Sequence, residues 1–358
     1  MERLESLDAF RGATIALMIL VNTPGDWHAV YGPLNHAEWH GWTITDVVFP
    51  SFLWIVGVAI TLSLEKRLAA GSPRGKLLLQ AARRAAILFL LGLISYALPD
   101  FNLSTQRILG VLQRIGICYF IAAAIYLWTG WRAQIAWIVG LLGVYWALMA
   151  WMPVPGYGAG RLDVEGNFAH YIDAMVLGRH NWAATKTWDP EGIVSTLPAI
   201  ATTLLGVLAG HMLKSRKLLE ARLVWLFAAG NLLIPAGLIV NQWLPINKKL
   251  WTSSFVLFMG GLDFVIFALF LWIVDALGYK RVVRPFLILG MNAIAIYMLS
   301  EMVAIGLDST GLHGWIYRTL FASWASPFNA SFLYAIAYTM SMYAIAYLMY
   351  RRGWFLRV

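Results

Sequence analysis

The chain has 358 residues, of which 60% are hydrophobic and only 13% charged, against about 25% charged in soluble domains. That balance, with a mean hydropathy of +0.67, excludes a water-soluble globular enzyme and places the chain among membrane proteins. The net charge of +9 does not mark a nucleic-acid binder, because the basic residues punctuate the chain between apolar runs and form no single patch.

Ten stretches are long and apolar enough to cross ~30 Å of hydrocarbon as helices. They are residues 10–27, 44–64, 77–98, 108–128, 133–151, 193–213, 223–243, 252–274, 285–305 and 331–350. The expectation is an all-α, polytopic integral membrane bundle of about ten transmembrane helices, forming one domain over 1–358. The first stretch is interrupted at its end by Asn22, Pro24 and Gly25. The N-terminal MERLESLDAFRG carries acidic residues beside its arginines, and the stretch reads as a retained helix rather than a signal peptide. The polar connections are short except for 152–191, which is expected to form an extracytoplasmic cap. A single cysteine, Cys118, excludes an internal disulfide and a CxxC-type metal site. Nineteen of the 27 Lys and Arg residues, Arg3, Arg11, Arg216 and Arg357 among them, fall on one side of the ten stretches. The excess of positive charge on the inner side then puts both termini in the cytoplasm.

Ionisable groups at membrane depth cost about 2.5–3.5 kcal/mol each, so they point to function. The densest set flanks the second stretch, in VNTPGDWHAVYGPLNHAEWHGWTITDVVFP, with Asn22, His36, His40 and Asp46. A loop folding back between adjacent helices would gather Asn22, His36 and Asp46. Three readings stay open here: an interfacial loop, a metal site using His36 and His40, and a general base, His36, with a carboxylate and an amide donor. The spacing H-x-E-x-H is not that of the zinc proteases, so no metal is expected. In the fourth stretch, GVLQRIGICYF places Gln113 and Arg114 inside the membrane. Arg114 calls for a neighbouring carboxylate or an anionic or amide-rich ligand. Further along, TWDPEGIVSTLP contributes Asp189 and Glu191, and LPINKKLWTSS contributes Asn247, Lys248 and Trp251. Carboxylates and a tryptophan at the mouth of a pocket suit an aminosugar, although Asp189-Pro190 also fits plain helix capping. Glu301 is an acid in apolar surroundings near the end of the ninth stretch, with Asn292 deeper in the same helix.

Taken together, SLDAFRG, NHAEWHGWTITDVVFPSFLWIVG, GVLQRIGI, WDPEGIVSTLP, PINKKLWTSSF and LGMNAIAIY resemble the heparan-alpha-glucosaminide N-acetyltransferase family, in its bacterial branch. The resemblance implies a multi-pass protein of the bacterial inner membrane. It implies transfer of an acetyl group from cytosolic acetyl-CoA to the amine of a glucosamine-type sugar on the far side, by a homodimer without metal or nucleic acid. His36 and Asn22 match the family's active-site histidine and its asparagine near the end of the first helix, with Asp46 orienting the imidazole. Arg11 and Arg114 match family arginines and, with Gln113, are expected to hold acetyl-CoA. Asp189, Glu191, Asn247, Lys248, Trp251 and Glu301 are expected to hold the sugar. The alternative from another class is an inner-membrane transporter of N-acetylglucosamine or chitin-derived oligosaccharides.

Overall fold

A computed structural model of the chain describes residues 4–98, 100–215 and 217–356; Arg3, Arg216 and Arg357 of the basic set lie outside them. The described residues form thirteen α-helices and no strand beyond one isolated bridge between Val154 and Gly158. In chain order they are α1 (Glu5–Asn22), α2 (Ile44–Ala69), α3 (Arg74–Ala97), α4 (Val111–Trp128), α5 (Trp131–Trp151), α6 (Phe168–Leu177) and α7 (Thr196–Lys214). Then follow α8 (Leu219–Val240), α9 (Ser253–Leu271), α10 (Lys280–Met291), α11 (Ala293–Ser309), α12 (Leu312–Leu320) and α13 (Pro327–Arg351).

The protein is a polytopic helical membrane protein. Among the described residues, eight helices are long and apolar enough to span: α2, α3, α4, α5, α7, α8, α13, and α9 continued through a π turn to Ala276. A ninth is the pair α10 and α11, which bends by 72° at Asn292. The expected straight span 285–305 is therefore broken. Asn292 holds the break by donating from Nδ2 to the Trp354 carbonyl at 2.9 Å and accepting the Leu356 N–H at 2.9 Å. The remaining expected stretch, 10–27, is not among the candidates. Its helix starts earlier and ends at Asn22, so its 18 residues include Glu5, Asp8 and Arg11.

The chain divides into two compact units. Unit 1 comprises the described residues of Met1–Glu38, Trp42–Phe52 and Ile266–Val358. Within it α1 packs on α10, α11 and α13, and α12 closes against α11 and α13. Gly12 and Gly290 are the contact point of α1 with α10. A Cβ on Gly12 would run into the Phe286 carbonyl, and one on Gly290 into the Asp8 carbonyl. Helices in lipid gain most from such close backbone approach, because hydrocarbon outside is as apolar as their own side chains. Ala9, Val274, Val283 and Leu287 form the adjoining apolar core.

Unit 2 comprises Trp39–Gly41 and the described residues of Leu53–Val265. Here α4 packs on α3 and α7, and α7 on α5 and α8, while α6 rests on α5. The segment between α5 and α7, which includes the expected cap, folds around Tyr145, Met149, Ala169, Val194, Leu244 and Leu250. The buried Tyr145 hydroxyl donates to the Leu250 carbonyl at 2.7 Å, so this core also ties down the loop before α9.

Candidate active site

In unit 1, the sequence T-I-T-D opens α2. A carboxylate in the first turn of a helix meets unpaired N–H groups and the positive end of the helix dipole. Asp46 uses both. Its Oδ2 accepts from the Thr43 N–H (3.0 Å), the Thr43 hydroxyl (3.2 Å) and the Ala37 N–H (3.1 Å), and its Oδ1 pairs with His36 Nδ1 at 2.7 Å. Asn35 helps shape the loop, accepting the His36 N–H through its side chain (2.9 Å) and the Thr43 hydroxyl through its carbonyl (2.6 Å). Asp46 is 1% exposed whereas the His36 side chain is 42% exposed. A buried carboxylate accepting at Nδ1 assigns the ring proton there and leaves the lone pair on Nε2. The structure thus joins two of the three residues expected to meet. Asn22 ends α1 and is exposed, and no hydrogen bond joins it to His36 among the described residues. It lines a concavity with Trp27, Asp308, His313 and Tyr334. Arg11 pairs with Asp8 one turn away in α1, at 3.2 Å. Glu301 lies half-buried on α11.

In unit 2, the expected carboxylates Asp189 and Glu191 are buried and converge on Arg107. Arg107 Nε and Nη2 donate to the two oxygens of Asp189 at 2.7 and 2.6 Å, and Nη2 also to Glu191 Oε2 at 2.5 Å. Tyr96 and Trp182 flank the guanidinium, with ring centroids at 4.9 and 5.6 Å. Burial alone would push the Glu191 carboxyl up. The charges of Arg107, Arg114 and Lys248 outweigh it and hold Glu191 below its usual range. Asp189 is not a helix cap, since α7 begins only at Thr196.

Asp173 on α6 supports this loop from beneath. It accepts the Ile193 N–H at 2.9 Å and the Asp189 N–H at 3.3 Å. Gly192 sits against the Asp173 carboxylate with no room for a Cβ. Burial raises the Asp173 carboxyl to about 6 despite these donors. On the other side of the loop, Arg114 Nη2 donates to the Gly192 carbonyl at 3.0 Å and to the Ser195 hydroxyl. Arg114 is 1% exposed, and its Nε and Nη1 have no hydrogen-bond partner among the described residues. Both amide atoms of the neighbouring, fully buried Gln113 are in the same position. Four buried polar atoms with unmet bonding capacity are uncommon, and each costs free energy unless a ligand or water meets it.

The Arg114 guanidinium lies 5.1 Å from the centroid of the Trp251 ring. Trp251 is fully buried and donates to the Thr202 hydroxyl at 3.1 Å. It was expected at the mouth of a pocket; instead it is a buried plate under Arg114. Its φ of +53° is rare for a bulky residue and costs roughly 1–3 kcal/mol, which the surrounding packing must offset. Asn247 is also buried. It shapes the same turn by accepting the Leu250 N–H (2.9 Å) and approaches His40 Nδ1 at 3.4 Å. Burial pushes the His40 imidazole down. Lys248 is half-buried, close enough for its charge to act on Glu191. Next to this turn, His170 stacks on Trp188 at 4.1 Å and Trp39 meets both rings edge-on. Burial lowers the His170 imidazole to about 4, so it is neutral at pH 7.

Sequence reading missed two residues of this network. In the sequence Arg107 is no more than one of 27 basic residues, although an Arg four residues ahead of a spanning helix invites a search for its acids. Asp173 gave no signal, because one acid in a short amphipathic helix looks like a solvated face. Among the described residues, no group of three or more His, Cys, Asp or Glu gathers as a metal site would require.

The fold defines a multi-pass helical membrane protein with an exposed histidine held by a buried aspartate in one unit and an arginine-carboxylate cluster in the other. The family model for the catalytic region of heparan-alpha-glucosaminide N-acetyltransferase matches residues 3–246, and the chain belongs to that family. It is similar to the human heparan-alpha-glucosaminide N-acetyltransferase, with 30% identity over 358 residues covering 84% of this chain and 53% of the human protein. The mouse protein of the same name is 30% identical over 356 residues, covering 84% and 54% respectively. The chain spans about half the length of these curated relatives.

Proposed function

We propose that the chain is a membrane N-acetyltransferase of a bacterial inner membrane, acting as a homodimer. It takes the acetyl group of cytosolic acetyl-CoA and passes it to the amine of a glucosamine-type sugar on the other side. The observation that carries this reading is the His36–Asp46 pair, in a chain whose family is named for this reaction. The attacking amine forms a C–N bond to the thioester carbonyl, the C–S bond breaks, and CoA leaves as the thiol. With its Nδ1 proton held on Asp46, His36 offers Nε2 as the base for the proton that the amine loses. Asp46 is a positioning residue and keeps the tautomer correct. The Asn22 amide is proposed to donate to the oxygen that becomes negative, a role worth about 2.7–4 kcal/mol elsewhere.

Gln113 and Arg114 are proposed to meet acetyl-CoA, whose pantetheine arm carries amides that suit the unmet atoms of both side chains. Arg11 is proposed to draw its phosphates. Asp189, Glu191, Asn247, Lys248 and Trp251 are proposed to act on the sugar side by fixing the loop that Arg107 and Arg114 bind, and Glu301 to lie along the sugar's path.

The test uses liposomes holding the full chain, with acetyl-CoA inside and glucosamine outside. The wild type yields N-acetylglucosamine only when the donor is present, and His36→Ala reduces the rate by at least about a hundredfold. Undiminished transfer by His36→Ala removes the base from the mechanism. Accumulation of sugar without donor would instead indicate a transporter.

A further inference from the structure

Helix α8 carries a polar side chain where hydrocarbon offers it nothing. Asn231 stands nine residues after Arg222 and ten before Asn241, the polar residues that bound the apolar run. At 1.5 Å per residue it lies about 14 Å from either, at the middle of a spanning helix. α8 turns its glycines toward α9. A Cβ on Gly230 would stand 2.8 Å from the Gly261 carbonyl oxygen, and one on Gly237 2.6 Å from the Phe258 nitrogen. Val224, Asn231, Pro235, Leu238 and Gln242 are exposed instead. At 3.6 residues per turn these five lie within about 60° of one another around the helix axis.

The Asn231 amide is only half used. Its Nδ2 donates to the Phe227 carbonyl at 2.8 Å, while Oδ1 and the second Nδ2 hydrogen have no hydrogen-bond partner among the described residues. Pro235, inside the helix and four residues on, has no N–H to give the Asn231 carbonyl. One free donor and two acceptors therefore meet at a single exposed spot at mid-membrane. Acyl chains neither donate nor accept there, so a protein group has to meet them.

A foreign helix would need its own polar residue at that depth, whereas a second copy has one by symmetry. Copies of one chain share their orientation in a membrane, so a two-fold axis relating them runs along the membrane normal. It sets the two α8 helices parallel and brings the two Asn231 side chains level. An amide is self-complementary, since it carries both donor and acceptor. We propose that the chain pairs with a second copy of itself along this face of α8, Asn231 against Asn231. Each amide gives its free hydrogen to Oδ1 or the main-chain carbonyl of the partner's Asn231. Val224 and Leu238, seven residues to either side, pack above and below, because that spacing keeps one seam turned to a parallel partner. A single polar residue in such a seam fixes register and strand number. The proposal gives a surface to the homodimer named above and rests on that part of the reading, not on acetyl transfer.

The test counts subunits by single-molecule photobleaching of the full chain in liposomes, over a falling protein-to-lipid ratio. The wild type is dimeric. Asn231→Leu, at an exposed position where folding is not at stake, weakens the dimer by about tenfold, as loss of interhelical amide bonds in a membrane requires. Asn231→Gln, which keeps the amide, recovers part of that loss. In a Cys118→Ala background, Leu238→Cys forms a disulfide-linked dimer under mild oxidation, and Val139→Cys, exposed on α5, does not. A wild type that stays monomeric at every ratio overturns the proposal together with the homodimer. Wild-type dimerisation by Asn231→Leu, or cross-linking through Val139→Cys and not Leu238→Cys, overturns this surface and leaves the homodimer standing. Neither readout passes through acetyl transfer, so the surface and the reaction fail separately.

Discussion

Replacing Arg107 by alanine leaves Asp189 and Glu191 facing each other in a buried setting, with side-chain exposures of 0% and 9%. Three hydrogen bonds of 2.5–2.7 Å are lost at once. Removing one partner of a buried ion pair typically costs about 3–5 kcal/mol, because the charge left behind has lost both water and its counter-ion. For a chain of 358 residues that lowers the melting temperature by about 4–7 °C. The deficit must depend on pH. Without Arg107 the two carboxyls have folded-state pKa values above their unfolded values near ~4. Such groups stabilise the fold below the unfolded value, and that contribution is lost as pH rises through the folded one. Arg107→Ala is therefore expected to melt nearest to the wild type at acidic pH and to fall away toward neutrality, as followed by intrinsic fluorescence in detergent. Adding Asp189→Asn and Glu191→Gln to Arg107→Met is expected to restore most of the loss, since no charge then remains unpaired. If Arg107→Ala melts within about 2 °C of the wild type across this range, the cluster does not hold the loop.

Asp46→Asn keeps the volume of the side chain but turns an acceptor into a donor. If the amide oxygen serves Thr43 and Ala37, its NH₂ faces His36 Nδ1 and moves the ring proton to Nε2. Acetyl transfer is expected to drop by about 10²–10⁴-fold with a modest loss of stability, whereas Asp46→Ala also strands three donors and melts lower. Asp173 has a folded-state carboxyl near 6, above its unfolded value, so its contribution is present below ~pH 4 and is lost as pH rises through about 6. Asp173→Asn, which cannot ionise, is expected to lose less stability than the wild type between those limits in pH-resolved melting curves. Gly12→Ala is expected to destabilise by about 1–3 kcal/mol through the Phe286 backbone. Gly140→Ala, where a Cβ meets nothing within 4 Å, is expected to be neutral or to stabilise by up to ~1 kcal/mol; paired melting curves separate the two.

Composition and apolar run length alone determined that this chain is a helical membrane protein, because backbone groups in hydrocarbon have to be satisfied within each segment. The same logic picked out His36 and Asp46, since polar groups near a membrane face are few and costly. Their pairing could also be foreseen from one short loop and the first turn of α2. Other features required the fold. The break at Asn292 depends on its bonds to the chain near Trp354, more than sixty residues later. Asp189 and Glu191 look like open sugar ligands in a linear reading. Only packing shows that Arg107, 82 residues earlier, takes their charge, and that Asp173 on α6 sets their backbone. Trp251 reads as a rim residue until the turn around Asn247 buries it under Arg114. Local pattern reports which residues must leave water. Which partners they then find depends on long-range packing, because charge and hydrogen-bonding capacity are met by proximity in space, not by spacing along the chain.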